Sequence, residues 1–301
     1  MGKGLPRTAA MVHNRKMTAT ARSVPSEFRA RIASAHRVVV KIGTNVLMRD
    51  DGSAAVGLIY GLVESIVNVR RQGREVLLVS SGAIGMGKKM LQITAEGLDL
   101  PLKQACAAVG QISLMSLYVD AFRHLGMHAA QVLLTEDDFL DPVRYENLQA
   151  TLSTLLRLGV VPIINENDTV STLEIDRPSG TEGLAHVFGD NDKLSALVAK
   201  EVNAGLLVLL SDVDGLYTRH PEDPEARLVS SVEKVTDEVL GFAKHSAGRG
   251  RGGMLSKICA AQMAASTGRI VVIGNGRVAS VMDRICAGED VGTMFLPGAP
   301  V

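Results

Sequence analysis

Between Arg37 and Gly274 the chain returns six times to a short aliphatic run: VVVKI (38–42), EVLLVS (75–80), MHAAQVLL (127–134), VVPIIN (160–165), LLVLLS (206–211) and RIVVIG (269–274). Several of these runs are apolar at every position rather than at alternate ones. A strand of that kind must be covered on both faces. The stretches between them carry the length and 3.6-residue period of helices, namely Ala54–Arg71, Leu102–Leu125, Arg144–Leu158, Asp192–Lys200 and Met254–Thr267. Strand and helix in regular alternation predict an α/β fold, a mainly parallel sheet wound on both sides by helices. A chain of 301 residues is long enough to bury a large core, and 46% hydrophobic with only 3% aromatic residues means that aliphatic side chains must fill it.

In such sheets ligands bind beyond the carboxyl ends of the strands. Gly43, Thr44 and Asn45 follow the first strand, and Ser80, Ser81 and Gly82 end the second. The fourth runs straight into Asn165, Glu166, Asn167, Asp168 and Thr169, and the fifth into Ser211, Asp212, Val213, Asp214 and Gly215. Polar groups set against a buried strand need partners, either backbone caps or a ligand. A second polar burst, GDND at 189–192, opens a helix; one residue suffices for a cap, and three in a row exceed that need.

Lys41 lies inside the apolar VVVKI strand, where an ammonium requires an anionic partner, structural or substrate. The segment VSSGAIGMGKKM has Gly82, Gly87 and Lys88 in a P-loop-like spacing, but Lys89 stands where a hydroxyl should meet magnesium, and the glycines equally suit a strand-to-helix turn. Ser81 and Gly82, at the start of the following helix, are the better anion ligands. GRGRGGMLSKICAA, from Gly248, is a second glycine-rich loop, and it places Lys257 in the first turn of a helix.

Other readings are excluded or set aside. Lys plus Arg and Asp plus Glu both number 32, so no global field draws the chain to nucleic acid or a membrane. Cys106, Cys259 and Cys286 have neither metal spacing nor the even count of a disulfide set, so buried free thiols in a reducing, cytoplasmic setting and no protein-bound metal are expected. No apolar run approaches the roughly 18 residues of a membrane span. None of the 7 His pairs with a nucleophile, so a Ser-His-Asp enzyme has no support. Residues 1–30 carry Lys3, Arg7, Arg15, Lys16 and Arg22 with no acid before Glu27 and are expected to be a disordered basic tail; RPSGTEG, 177–183, reads as a mobile loop.

Taken together, VVVKIGTNVL, VSSGAIGMG, QACAAVGQISLM, VVPIINENDTV, GDNDKLSAL, LLSDVDGLYT and GRGGMLSK resemble the successive motifs of the amino-acid kinase family, from about Arg37 to Phe295. NENDTV and GDND point within it to the branch that phosphorylates glutamate. The resemblance implies an αβα sandwich over residues 31–301 with about eight strands, a homodimer or homotetramer, and transfer of the ATP γ-phosphoryl group, with Mg2+, to the side-chain carboxylate of L-glutamate. It implies Lys41 and Lys257 as phosphoryl-stabilising lysines and Asp192 as the acid orienting both. Ser81, Gly82, Asp168, Asn191, Asp190 and Asn167 match acceptor-binding positions. Lys41, Gly43, Ser211, Asp212, Arg251, Gly252, Gly253, Met254, Leu255, Ser256 and Lys257 match nucleotide-binding ones. The chain stops at GTMFLPGAPV, so the PUA or reductase extension of many members is not expected; Arg251 replaces a common Thr, and the 171–189 loop, where proline feedback would act, is longer than the compact bacterial pattern. Another member such as acetylglutamate kinase would not need Asp168 and Asn191 to grip a free amine, and a catalytically silent amino-acid-binding regulator would not need both lysines.

Overall fold

The computed structural model describes residues 24–95, 97–170, 190–245 and 253–298. Its strands are β1 (Arg37–Ile42), β2 (Glu75–Ser80), β3 (Ala129–Leu134), β4 (Val161–Glu166), β5 (Leu206–Ser211), β6 (Ser231–Val232), β7 (Ile270–Asn275) and β8 (Thr293–Phe295). They form one 8-stranded sheet in the order β3-β4-β2-β1-β5-β7-β8-β6. Every neighbouring pair is parallel except β7 and β8. The six predicted strands all form. β6 and β8, of 2 and 3 residues, are too short to show a period in the sequence.

The helices, in chain order, are α1 (Ser26–Ala33), α2 (Thr44–Leu47), α3 (Val56–Arg71), α4 (Ala83–Met90), α5 (Leu100–His124), α6 (Asp137–Leu140), α7 (Pro142–Arg157), α8 (Asp190–Glu201), α9 (Asp237–His245), α10 (Met254–Ser266) and α11 (Val281–Cys286). Two of the longest begin at an aspartate cap with proline in the first turn. The Asp99 carboxylate accepts from the Leu102 amide, and the Asp141 carboxylate accepts from the amides of Val143 and Arg144.

The period of two along β1 sorts the helices into layers. Val38, Val40 and Ile42 join a core with Ile59 and Ile66 of α3, Leu114 and Phe122 of α5 and Ile285 of α11. Val39 joins the opposite core with Leu152 of α7, Ala196 of α8 and Ile258 of α10. Lys41 follows Val39 by two residues, so its side chain enters the α8 and α10 layer.

Three expectations change. α1 begins inside the segment read as a tail, and Val24 and Ile32 are buried, so the ordered body starts earlier than residue 31; residues 1–23 lie outside those described, as do the 171–189 loop and its RPSGTEG stretch. α5, at 25 residues, is apolar and long enough by composition to cross a membrane, although no run reached that length by reading alone. Its apolar character is that of a core helix: Tyr118 and Phe122 are fully buried and Lys103 and Asp120 interrupt it. The P-loop spacing also resolves differently. A Cβ at Gly87 would sit 1.8 Å from the Cys106 carbonyl oxygen, and one at Gly110 would sit 1.8 Å from that of Ala83, so both glycines let α4 and α5 cross backbone to backbone.

Candidate active site

The carboxyl ends of β1, β2, β4 and β5 meet the start of α8 and α10 at one edge of the sheet. Lys41, near the end of β1, is 5% exposed; Lys257, in the first turns of α10, is 6%; Asp192, in the first turn of α8, is 1%. Lys41 Nζ lies 2.7 Å from one oxygen of Asp192. Lys257 Nζ lies 3.3 Å from the other, and the Ser256 hydroxyl donates to that same oxygen at 3.1 Å. One buried carboxylate thus holds two ammonium groups, one from β1 and one from α10.

Burial disfavours the charged form of Asp192, but Lys41 and Lys257 outweigh it and keep the carboxyl below its ordinary value. Burial is also the largest influence on Lys41, and it lowers the ammonium from its ordinary 10.5; Asp192 opposes the fall and Lys257 adds to it. A Cβ on Gly43 would stand 3.7 Å from Lys41 Nζ, so the glycine keeps the space before that ammonium open.

A polar wall stands beside this triad. Asn165, 2% exposed at the end of β4, accepts from the Glu166 amide at 2.9 Å and from Asn191 Nδ2 at 3.0 Å. Asn191 Nδ2 also donates to the Ser81 hydroxyl at 3.1 Å. Asn165 Nδ2 donates to Gln111 Oε1 of α5 at 2.7 Å. Gly82, with φ of 100°, turns the chain from β2 into α4, a backbone conformation other residues adopt at a cost. The wall therefore presents the Ser81 hydroxyl and the first amides of α4 on one side and amide oxygens on the other.

On the far side of β1, the Ser211 hydroxyl donates to one oxygen of Asp212 at 3.1 Å and Asn45 Nδ2 to the other at 3.1 Å. Asp214 is likewise tethered, by Asn275 Nδ2 at 2.9 Å and the Tyr217 hydroxyl at 3.0 Å.

The structure brings together Lys41, Asp192, Lys257 and Ser256, then Ser81, Gly82 and Asn191, then Ser211 and Asp212 with Gly43 between the groups. Other positions are placed less directly. Met254 is buried in the α8 and α10 core and Leu255 packs against it, so any contact they make with a nucleotide would come from the backbone of α10, which Gly253 opens. Asn167 Oδ1 accepts from the Thr169 hydroxyl within its own turn. Asp168, in the turn after β4, is half-buried. Arg251, Gly252 and the Asp190 side chain lie outside the described residues. Reading the sequence left Asn165, Gln111 and Asn45 without individual roles. Asn165 was legible in principle as a buried amide ending an apolar strand.

The fold is similar to that of two solved kinases. UMP kinase from Bacillus anthracis matches with a TM-score of 0.58 at 17% identity, over 88% of this chain and 97% of that one. Carbamate kinase from Giardia lamblia, bound to AMP-PNP, matches at 0.60 and 16%, over 88% and 99%. A sequence model of the amino acid kinase family covers residues 36–275. The Gloeobacter violaceus glutamate 5-kinase is 47% identical over 265 residues, 87% of this chain and 69% of that protein. That from Caldanaerobacter subterraneus subsp. tengcongensis is 44% identical over 263, covering 87% and 68%. The chain belongs to the amino acid kinase family and, within it, to the glutamate 5-kinases.

Proposed function

We infer that this chain transfers the γ-phosphoryl group of ATP to the side-chain carboxylate of L-glutamate, giving γ-glutamyl phosphate and ADP, the first step of proline synthesis. The observation that carries the reading is the buried Lys41–Asp192–Lys257 triad standing beside the Ser81–Asn191–Asn165 wall. The attacking carboxylate is ionised at neutral pH, so the reaction asks for no general base. What remains is to align two anions and neutralise the charge that spreads over the transferring phosphoryl oxygens, and two preorganised ammonium groups do this at little reorganisation. Asp192 keeps both pointed inward. The wall receives the amino acid: Asp168 and the Asn191 carbonyl oxygen suit an ammonium, while the Ser81 hydroxyl and Gly82 amide suit a carboxylate.

Gly43, Ser211, Asp212 and the α10 amides from Gly253 to Lys257 line the nucleotide side. The magnesium ion is read as entering on the ATP phosphates, as part of the substrate, where it would neutralise phosphate charge.

The same reading includes a cytoplasmic homodimer or homotetramer and competition by proline at the glutamate site; a glutamate KM unchanged at millimolar proline would remove the latter. The direct test is trapping with hydroxylamine. γ-Glutamyl hydroxamate should form only with MgATP and L-glutamate together. Product with N-acetylglutamate but not glutamate would overturn the assignment.

A further inference from the structure

We propose that Tyr118 of α5 is a positioning residue for the amino-acid substrate, acting through the Ser80 hydroxyl to fix the Ser81–Gly82 peptide. The inference rests on the glutamate reading above. Tyr118 and Ser80 are both 0% exposed, and their hydroxyl oxygens lie 3.0 Å apart. Ser80 Oγ also stands 3.2 Å from the Ser81 carbonyl oxygen in donor geometry. Ser80 has one hydroxyl proton to give. If it goes to Tyr118, the phenolic proton has no acceptor in a core built from Leu114, Met115 and Phe122, and a buried donor left without a partner is unfavourable. Every proton is satisfied only in one direction: Tyr118 donates to Ser80, and Ser80 donates to the Ser81 carbonyl. Burial pushes the phenol well above its ordinary value, so it remains a donor throughout the working pH range.

That direction aims the next peptide. The described chain has no cis bonds, and in a trans peptide the carbonyl and the following N–H point oppositely. Holding the Ser81 carbonyl toward the core therefore turns the Gly82 N–H outward, at the start of the 8-residue α4, and among the described residues it meets no acceptor. Ser81 Oγ already accepts from Asn191, which leaves its own proton for a ligand oxygen. Two donors and a helix start then face one carboxylate of the acceptor, and their aim is set by a phenol one layer behind.

Tyr118→Phe keeps the ring and deletes the relay. It should raise the glutamate KM by ~5- to 10-fold, the loss of one hydrogen bond, with the ATP KM within about twofold. Ser80→Ala should do the same without touching the aromatic core, and the double variant should be no worse than Ser80→Ala alone. A wild-type glutamate KM in both folded single variants, a parallel rise for both substrates, or additive effects in the double variant would each overturn the proposal while leaving the activity intact. Failure of the wild-type enzyme to form γ-glutamyl hydroxamate would instead overturn the substrate reading, and this inference with it.

Discussion

Replacing Lys41 by Met and Asp192 by Asn should separate catalysis from stability, because the two residues sit differently in one buried ion cluster. In Lys41→Met the carboxylate of Asp192 keeps Lys257 at 3.3 Å and the Ser256 hydroxyl at 3.1 Å, so no charge is stranded. The thioether chain also fills most of the space of the lysine stem. The fold should lose no more than about 1 kcal/mol, yet kcat should fall ~10²- to 10³-fold, or about 3–4 kcal/mol of transition-state stabilisation. In Asp192→Asn the position is reversed: Lys41, 5% exposed, keeps its charge and loses the carboxylate 2.7 Å away. Removing one partner of such a buried pair costs about 3–5 kcal/mol of stability, and kcat should drop nearly as far as in the lysine variant because both ammonium groups lose their aim. Lys257→Met should match Lys41→Met in kcat, and the double lysine variant should be less than additive. Urea midpoints and hydroxamate formation measure the two quantities on the same preparations. A Lys41→Met enzyme with kcat within threefold of wild type, or one as unstable as Asp192→Asn, would refute the reasoning.

Asp168→Ala and Asn191→Ala should raise the glutamate KM, by about 1.5–3 kcal/mol where a charged hydrogen bond is lost, with little change for ATP; equal weakening of both substrates in a folded variant counts against the wall. Lys41 must be protonated to act, and its pKa is lowered from 10.5 by burial, so kcat/KM for ATP should fall on an alkaline limb centred below 10.5. Bound phosphates should move the corresponding limb in kcat to higher pH, and coincident limbs would contradict that. Gly110→Ala pushes a methyl to 1.8 Å from the Ala83 carbonyl oxygen and should destabilise by about 3 kcal/mol, read by thermal or urea unfolding; a neutral change would mean that α4 and α5 can part cheaply.

Much of this was legible in local pattern. Runs such as VVVKI and LLVLLS can only be strands covered on both faces, and an ammonium inside one of them demands an anion, which is how Lys41 was found. The excess of polar residues at the start of α8 beyond what a cap requires likewise exposed Asn191 and Asp192. Other features depend on contacts between distant segments. Gln111 and Tyr118 sit in a helix whose polar positions look like ordinary interruptions, and their partners Asn165 and Ser80 are remote in sequence. Met254 and Leu255 belong to the nucleotide-loop motif as a stretch of sequence, but a linear motif cannot say which way α10 turns each side chain. Gly87 fell into a P-loop-like spacing because a tight helix crossing and a tight phosphate turn both select glycine.

That crossing also limits how the enzyme could be retailored. With Gly87 against Cys106 and Gly110 against Ala83, α4 has no slack to slide or tilt along α5. An engineer or a diverging lineage seeking room for a bulkier acceptor cannot get it by shifting the Ser81–Gly82 end of α4. The space has to come from the β4 terminus and α8, where the Asn191 side chain meets the Asn165 side chain and the Glu166 amide and, among the described residues, no backbone-to-backbone contact locks the pair as it does α4 and α5. Substrate range should therefore be set by substitutions on that half of the pocket, with the α4 half as a fixed template.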